Sequence, residues 1–154
     1  MKAMILAAGR GKRMMPLTAE LPKPMLCVAG KPLIEHHIMR LKAAGITQII
    51  INLAWQGDKI KTYFADGRAW GVTITYSQEV TGGLETAGGI IQALPLLGES
   101  FIVINGDVYS DYDVSALMQL HLQPKEAHIV LVENPAHNPD GDFALSYLPT
   151  NSQR

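Results

Sequence analysis

Near its start the chain reads Leu6-Ala7-Ala8-Gly9-Arg10-Gly11-Lys12-Arg13-Met14-Met15-Pro16-Leu17-Thr18, and Pro22-Lys23-Pro24 follows shortly after. The apolar residues 3–7 precede this glycine-broken, cation-rich segment, so the pattern predicts a strand that leads into a loop. Glycines allow backbone N–H groups to approach phosphate oxygens, while Arg13 and Lys23 supply the positive charge that a polyphosphate requires. The segment therefore predicts a binding site for a nucleoside triphosphate.

Two other phosphate-binding loops fit this segment less well. The dinucleotide fingerprint requires a third glycine where Met14 stands, and the P-loop requires Ser or Thr where Arg13 stands. A plain glycine-rich turn between strand and helix would leave the proline, threonine and lysine of the segment unexplained. The pattern thus favours a different class of nucleotide site.

Apolar, β-branched runs alternate with helical patterns along the chain, which predicts an α/β fold with a mostly parallel sheet and helices on both faces. The predicted strands cover residues 3–7, 48–52, 72–76, 101–104 and 128–132. The predicted helices run from Pro32 to just before Gly45, over 56–64, over 86–94 and over 114–122. Because such sheets bind ligands at the carboxyl ends of their strands, the segments after the first, third and fourth strands are expected to meet in one cleft.

Composition and charge restrict the class of protein. The 154 residues contain 47% hydrophobic and 18% charged residues with a formal net charge of −1, which is typical of a soluble globular protein and gives no sign of nucleic-acid binding. Cys27 is the single cysteine, so an internal disulfide is excluded. The first apolar run is too short to serve as a signal peptide or to span a membrane, so we expect a cytoplasmic protein without a membrane partner.

The pattern G-x-G-x-R-M-x-P-L-T followed by P-K-P resembles the signature of sugar-1-phosphate nucleotidyltransferases. The resemblance implies a Rossmann-like three-layer sandwich and a single domain over 1–154. Its nucleotide-binding half would cover about 1–110, and a partial sugar-binding portion would cover about 111–148. It also implies that a nucleoside triphosphate and a sugar 1-phosphate react to give a nucleoside diphosphate sugar and pyrophosphate.

The resemblance assigns the charged residues to roles in this reaction. Arg13 is expected to hold the triphosphate, and Lys23 to bridge the α-phosphate and the incoming sugar phosphate. Asp107, after the fourth strand, is expected to bind Mg²⁺ together with substrate phosphates. The alternatives are that the two cations are solvated surface residues and that Asp107 begins a turn or caps the next helix. Asp113 is the better candidate for that cap.

Residues 78–89 resemble the loop of the family that binds the nucleobase, although their glycines would also suit a long turn. The predicted nucleotide-binding residues are Leu6, Ala7, Ala8, Gly9, Gly11, Arg13, Gln78, Gly83, Glu85, Thr86 and Asn105. Gly141 and Asp142 are the candidates for sugar binding.

Within the family, the segment Leu84-Glu85-Thr86 resembles the corresponding segment of enzymes that transfer uridylyl groups to N-acetylmuramic acid 1-phosphate in peptidoglycan recycling. Mannose-1-phosphate guanylyltransferases and glucose-1-phosphate thymidylyltransferases remain alternatives, as does a nucleotide-binding module without catalytic activity. Family members usually continue beyond the segment Gly141-Asp142-Phe143, so we expect a C-terminally truncated chain. An exposed sheet edge would favour instability or self-association as a homo-oligomer.

Overall fold

The computed structural model describes residues 1–79, 84–136 and 138–144. In chain order the regular elements are strands β1 (Lys2–Leu6), β2 (Cys27–Val28) and β3 (Lys31–Pro32), helix α1 (Leu33–Ala43), strand β4 (Gln48–Leu53), helix α2 (Gly57–Phe64), strand β5 (Thr73–Gln78), helix α3 (Glu85–Ala93) and strand β6 (Phe101–Asn105). Short 3-10 helices lie at Lys12–Met14, Lys23–Met25, Arg68–Trp70, Leu94–Leu96 and Val114–Gln119. Within the described ranges, no helix is both long and apolar enough to cross a membrane.

Four of the strands form a parallel sheet in the order β5-β4-β1-β6. In the central strand β1, Ala3 lies opposite Ile49 of β4 on one side and Ile102 of β6 on the other. The chain builds outward from β1 to β4 and β5, and then crosses to the far side of β1 to form β6. Strand order therefore reverses at β1, and open α/β sheets bind their ligands beside such a reversal.

Helices cover both faces of the sheet. Since successive residues of a strand point to opposite faces, each strand contributes apolar side chains to both. On one face, Ile5 belongs to an apolar cluster that includes Ile38 of α1 and Phe64 of α2. On the other face, its neighbour Met4 belongs to a second cluster with Ala93 of α3. The predicted three-layer α/β sandwich with a parallel central sheet is confirmed.

The boundaries of the first helix differ from the prediction at its start. Pro32 immediately precedes α1 and pairs with Cys27 in the small antiparallel β2–β3 ladder, whereas the sequence placed this proline in the first turn. Two residues of each strand are too few to leave a period-2 pattern, which is why the sequence did not reveal the ladder. Gly45 follows the helix with φ +82°, a left-handed conformation that favours glycine, and so ends it as predicted.

The helix predicted over 114–122 is wrong in type and length, since a 3-10 helix covers only Val114–Gln119. Asp113 caps it as predicted, and its carboxylate accepts a hydrogen bond from the Ser115 backbone N–H at 2.9 Å. Leu117 and Met118 pack against the first apolar cluster, whereas Leu122 is exposed. The apolar contacts that would stabilise a longer helix thus stop before its predicted end.

The chain divides into two compact units, Met1–Leu120 and His121–Arg154. In the second unit, the described residues 121–136 and 138–144 contain no helix or strand, so the strand predicted over 128–132 is wrong. Val132 is 84% exposed, and a strand without a neighbouring strand leaves its backbone groups unpaired. The predicted division of one domain near residue 110 stays a prediction, and residues 145–148 of its second portion lie outside the described residues.

Candidate functional site

A cleft of about 830 Å³ opens at the carboxyl edge of the parallel sheet. All four strands contribute, because the segment that follows each strand lines part of the cleft. The predicted site residues that line it are Leu6, Ala7, Ala8, Gly9, Lys23, Gln78, Glu85, Thr86, Asn105 and Asp107. The expected meeting of separate motifs at one edge of the sheet is therefore observed.

The loop after β1 is shaped by contacts between its own motif residues. Gly11 has φ +64°, and its carbonyl accepts a hydrogen bond from the hydroxyl of Thr18 at 2.8 Å. Thr18 is only 1% exposed. A Cβ atom on Gly11 would lie 3.0 Å from Cγ2 of Thr18 and 3.2 Å from Cβ of Lys23. Gly11 and Thr18 therefore support the backbone that carries Lys23 into the cleft.

Lys23 and Asp107 meet in the cleft although 84 residues separate them in sequence. The Lys23 Nζ lies 2.8 Å from Oδ2 of Asp107, and the two side chains are 26% and 39% exposed. Just before Asp107, the backbone N–H of Gly106 donates to the carbonyl of Leu6 at 2.9 Å. A Cβ atom on Gly106 would lie only 2.8 Å from that carbonyl oxygen. The close approach of β1 and the end of β6 thus positions the predicted metal ligand.

The donor set near Asp107 suits a cation that binds mainly through its substrate. No group of three or more His, Cys, Asp or Glu side chains that could hold a metal occurs within the described residues. Mg²⁺ often uses only one or two protein carboxylates, and substrate phosphates and water complete its octahedral shell. Asp107, with partial exposure in an open cleft, fits that mode of binding.

The loop presents a different arginine to the cleft from the one that the motif emphasises. Arg13 lies in the exposed 3-10 helix Lys12–Met14, and Arg10 and Lys12 contribute to the lining instead. The Arg10 guanidinium lies over the ring of Trp55, 4.3 Å from the ring centroid. Sequence reasoning missed Arg10, although its position between two glycines directly after a strand is a usable signal. The role of Arg13 stays a prediction.

On the opposite side of the cleft, Gln78 is held by its own polar contacts. Its side-chain N–H donates to the carbonyl of Leu53 at 3.1 Å, and its side-chain oxygen accepts from Lys61 at 3.1 Å. These contacts orient the amide that the sequence assigned to the nucleobase. Glu85 begins α3 with φ +58°, an unusual conformation for a residue with a side chain. Gly83, also predicted here, lies outside the described residues.

Two further residues of the cleft, Asn52 and Glu79, were missed by sequence reasoning. They are 2% and 5% exposed, and Nδ2 of Asn52 donates to Oε1 of Glu79 at 2.6 Å. Asn52 lies near the end of β4, and Glu79 directly follows β5. The available signal was therefore a polar residue at the same edge of two neighbouring strands. The link between them appears only once β4 and β5 pair.

A histidine lies beneath the segment that carries Asp107. Burial lowers the pKa of His37 below its ordinary value of 6.5, and a hydrogen bond with the backbone of Val108 only partly opposes this shift. Nε2 of His37 has no hydrogen-bond partner among the described residues. His37 is therefore a neutral core residue at neutral pH and adds no positive charge beside Asp107.

The two predicted sugar-binding residues lie in the second unit. Gly141 has φ +68°, and its backbone N–H donates to the carbonyl of Asn138 at 3.2 Å. The carboxylate of Asp142 accepts a hydrogen bond from the side chain of Asn138 at 3.4 Å. These contacts define a local turn, and the assignment to the sugar stays a prediction.

Comparison with known proteins gives matches over most of the chain. Residues 2–143 match the family model described as nucleotidyl transferase. The chain is 61% identical to the N-acetylmuramate alpha-1-phosphate uridylyltransferase of Neisseria meningitidis, and the match covers 100% of this chain and 68% of that protein. It is 39% identical to the UTP–glucose-1-phosphate uridylyltransferase of Synechocystis, over 79% of this chain and 34% of that protein.

A solved structure shares the fold. The crystal structure of HddC from Yersinia pseudotuberculosis complexed with GMP-PN matches with a TM-score of 0.68 and 29% sequence identity. The match covers 77% of this chain and 52% of that one. The chain thus spans about two thirds of the length of the Neisseria protein, about half of HddC and about a third of the Synechocystis protein.

Proposed function

Because the chain belongs to the nucleotidyl transferase family, we propose that it transfers a uridylyl group from UTP to N-acetylmuramic acid 1-phosphate and releases pyrophosphate. The observation that carries this proposal is the pairing of Lys23 with Asp107 in a cleft lined by the glycine loop. These are a cation and a metal-type ligand, the two groups that phosphoryl chemistry requires at the reacting phosphorus. The identity of 61% over the whole chain favours uridylyl transfer to this acidic sugar phosphate.

The reaction needs charge neutralisation more than covalent help. A phosphate oxygen of the sugar substrate forms a bond to the α-phosphorus of UTP, and the bond from that phosphorus to the bridging oxygen breaks. Pyrophosphate leaves with the electron pair of the broken bond. Lys23 would exchange its contact with Asp107 for the phosphate oxygens on which negative charge accumulates. Backbone N–H groups of the glycine loop would bind the triphosphate, and the exposed Arg13 would add positive charge beside it.

Asp107 would hold Mg²⁺ once Lys23 turns to the phosphates, since a single partly exposed carboxylate suits this cation. When bound, Mg²⁺ neutralises charge on the phosphate oxygens of the nucleotide. Gln78, Glu85 and Thr86 would lie along the nucleobase, and Asn105 would contribute to binding of the nucleotide. Gly141 and Asp142 would contribute to the sugar site.

Measurement of pyrophosphate release tests the proposal directly. The chain is incubated with Mg²⁺ and each of UTP, GTP and dTTP, paired in turn with the 1-phosphates of N-acetylmuramic acid, glucose and mannose. We expect the highest kcat/KM with UTP and N-acetylmuramic acid 1-phosphate. Preference for GTP with mannose 1-phosphate, or for dTTP with glucose 1-phosphate, would replace the proposed substrates. Nucleotide binding without turnover would favour a non-catalytic module.

The proposed substrates place the reaction in the cytoplasm, where nucleoside triphosphates are made, and within peptidoglycan recycling. Among the described residues β6 is an edge strand of the sheet, and its unpaired backbone groups would allow self-association through that edge. Sedimentation of the chain at several concentrations would reveal a homo-oligomer.

A further inference from the structure

We propose that Asn52 and Glu79 are positioning residues that hold the two flanks of the nucleotide cleft at a fixed separation. This role rests on the proposed function, because it concerns the binding of UTP in that cleft. One flank is the backbone of Ala7, where the glycine loop leaves β1. The other is the backbone of Leu84, which directly precedes Glu85 and Thr86 at the start of α3.

Three hydrogen bonds form a continuous chain between these flanks. The backbone N–H of Ala7 donates to Oδ1 of Asn52 at 2.8 Å, and Nδ2 of Asn52 donates to Oε1 of Glu79 at 2.6 Å. The backbone N–H of Leu84 donates to Oε2 of Glu79 at 2.8 Å. Both bridging side chains are at least nine-tenths buried, so water does not compete for these bonds.

The direction of each bond is fixed by its ends. Backbone N–H groups can only donate, so Asn52 must turn its oxygen to Ala7 and its amide N–H toward Glu79. Glu79 therefore faces one donor on each oxygen, which is the pattern of an ionised carboxylate. A glutamine at position 79 would offer one acceptor to two donors, and an aspartate at position 52 would place two acceptors face to face.

Helix α3 leaves room for this pair at a single position. A Cβ atom on Gly89 would lie 2.4 Å from Oε1 of Glu79 and 2.8 Å from Nδ2 of Asn52. Glycine is otherwise a poor helix residue, so the space that the pair occupies explains why position 89 of α3 is a glycine. The helix that presents Glu85 and Thr86 is thus packed directly onto the hydrogen-bonded pair.

The consequence for binding follows from geometry. Ala7, Glu85 and Thr86 all line the cleft, so a shift of either flank changes the distance between the residues predicted to contact phosphate and base. Misplacement of such groups by about 1 Å can cost about 10²-fold in rate. Loss of the pair should therefore weaken UTP binding and turnover by displacing the residues that are predicted to contact the nucleotide.

An exchange of the two functional groups tests this role. Asn52→Asp and Glu79→Gln are each expected to raise the Kd and KM for UTP by about 10- to 100-fold. In the double variant Asn52→Asp/Glu79→Gln, each hydrogen-bond donor again faces an acceptor, and the net charge is unchanged. We expect it to recover UTP affinity to within about threefold of wild type, a rescue that simple loss of two side chains would not give.

Titration calorimetry with UTP, turnover and thermal unfolding are measured on the same samples, with Glu99→Gln as an exposed control for the loss of one carboxylate. Wild-type protein that binds no UTP would refute the proposed function itself. Wild-type binding that survives unchanged in both single variants, or a double variant weaker than both, would overturn the positioning role. If the single variants do not fold, Gly89→Ala decides: we expect it to fold and to bind UTP at least tenfold more weakly, and unchanged affinity would overturn the proposal.

Discussion

The cleft contains two polar pairs of opposite character. Lys23 and Asp107 form an ion pair with both side chains about a quarter to two fifths exposed, whereas Asn52 and Glu79 are almost completely buried. An exposed ion pair contributes only about 0–1 kcal/mol to stability, so its members can change partners when a ligand arrives. A buried group that loses its partner costs about 1–3 kcal/mol, so the buried pair keeps its geometry. The comparison separates the two groups that we propose to act on the substrate from the two that we propose to hold the cleft in place.

The largest expected effect concerns the exposed pair. Lys23→Ala should lower kcat by about 10²–10³-fold, because it removes a positive charge that, in the proposed reaction, acts on the developing charge of the phosphates. The free energy of unfolding should change by less than about 1 kcal/mol, since solvent reaches both members of the pair. Steady-state kinetics and urea unfolding check both values. Lys42→Ala, on the exposed side of α1, serves as the matched control, and retained turnover in Lys23→Ala would remove this lysine from the mechanism.

The buried pair should show the opposite balance. Asn52→Ala leaves the N–H of Ala7 and one oxygen of Glu79 without their partner, so we expect the free energy of unfolding to fall by about 1–3 kcal/mol. Urea unfolding monitored by circular dichroism measures this change. A loss below about 0.5 kcal/mol, the range of ordinary surface substitutions, would show that the two polar pairs do not differ as described.

A smaller effect is expected at the loop that supports Lys23. Thr18→Val keeps the shape of the side chain but removes the hydrogen bond to the carbonyl of Gly11, which should cost about 1 kcal/mol of stability. Thr18→Ser keeps the hydroxyl and is the control. Equal stability of the valine and serine variants would mean that packing, and not the hydrogen bond, holds this loop.

The smallest effect lies away from the cleft and depends on pH. Burial, with a lesser contribution from the negative charge of Asp66, raises the pKa of Tyr76 from 10.0 to about 12. The folded state therefore keeps the phenol protonated where the unfolded state ionises. This contribution is complete below pH 10 and is lost as pH rises toward about 12. Tyr76→Phe should flatten the pH dependence of unfolding in that window, and an unchanged slope would contradict the assignment.

Much of the fold was predictable because its signals are local. Runs such as residues 48–52, rich in isoleucine, predict buried parallel strands, and Gly45 predicts the end of α1. The segment 128–132 carries an equally apolar pattern, yet it forms no strand among the described residues. Its failure shows that an apolar run becomes a strand only where another strand pairs with it.

Within the site, sequence was most informative where one short segment carries the chemistry. The glycine loop and Asp107 were singled out from their motifs and their place after strands, and the structure brings Lys23 against Asp107. The roles of these residues stay predictions. Arg10 was missed because its contact with Trp55 joins loops after two different strands. Asn52 and Glu79 were missed for the same reason.

By itself, then, the sequence determined the alternation of strands and helices, the family and the segment that is predicted to bind phosphate, because periodicity and motif spacing are properties of neighbouring residues. Only the tertiary structure decided that Lys23 lies against Asp107, that Arg10 faces the cleft and that Asn52 joins Ala7 to Glu79. These contacts depend on strand order and register, which bring distant residues to one edge of the sheet. The physical reason is that hydrogen bonds and ion pairs act over a few ångströms in space, whatever the separation along the chain.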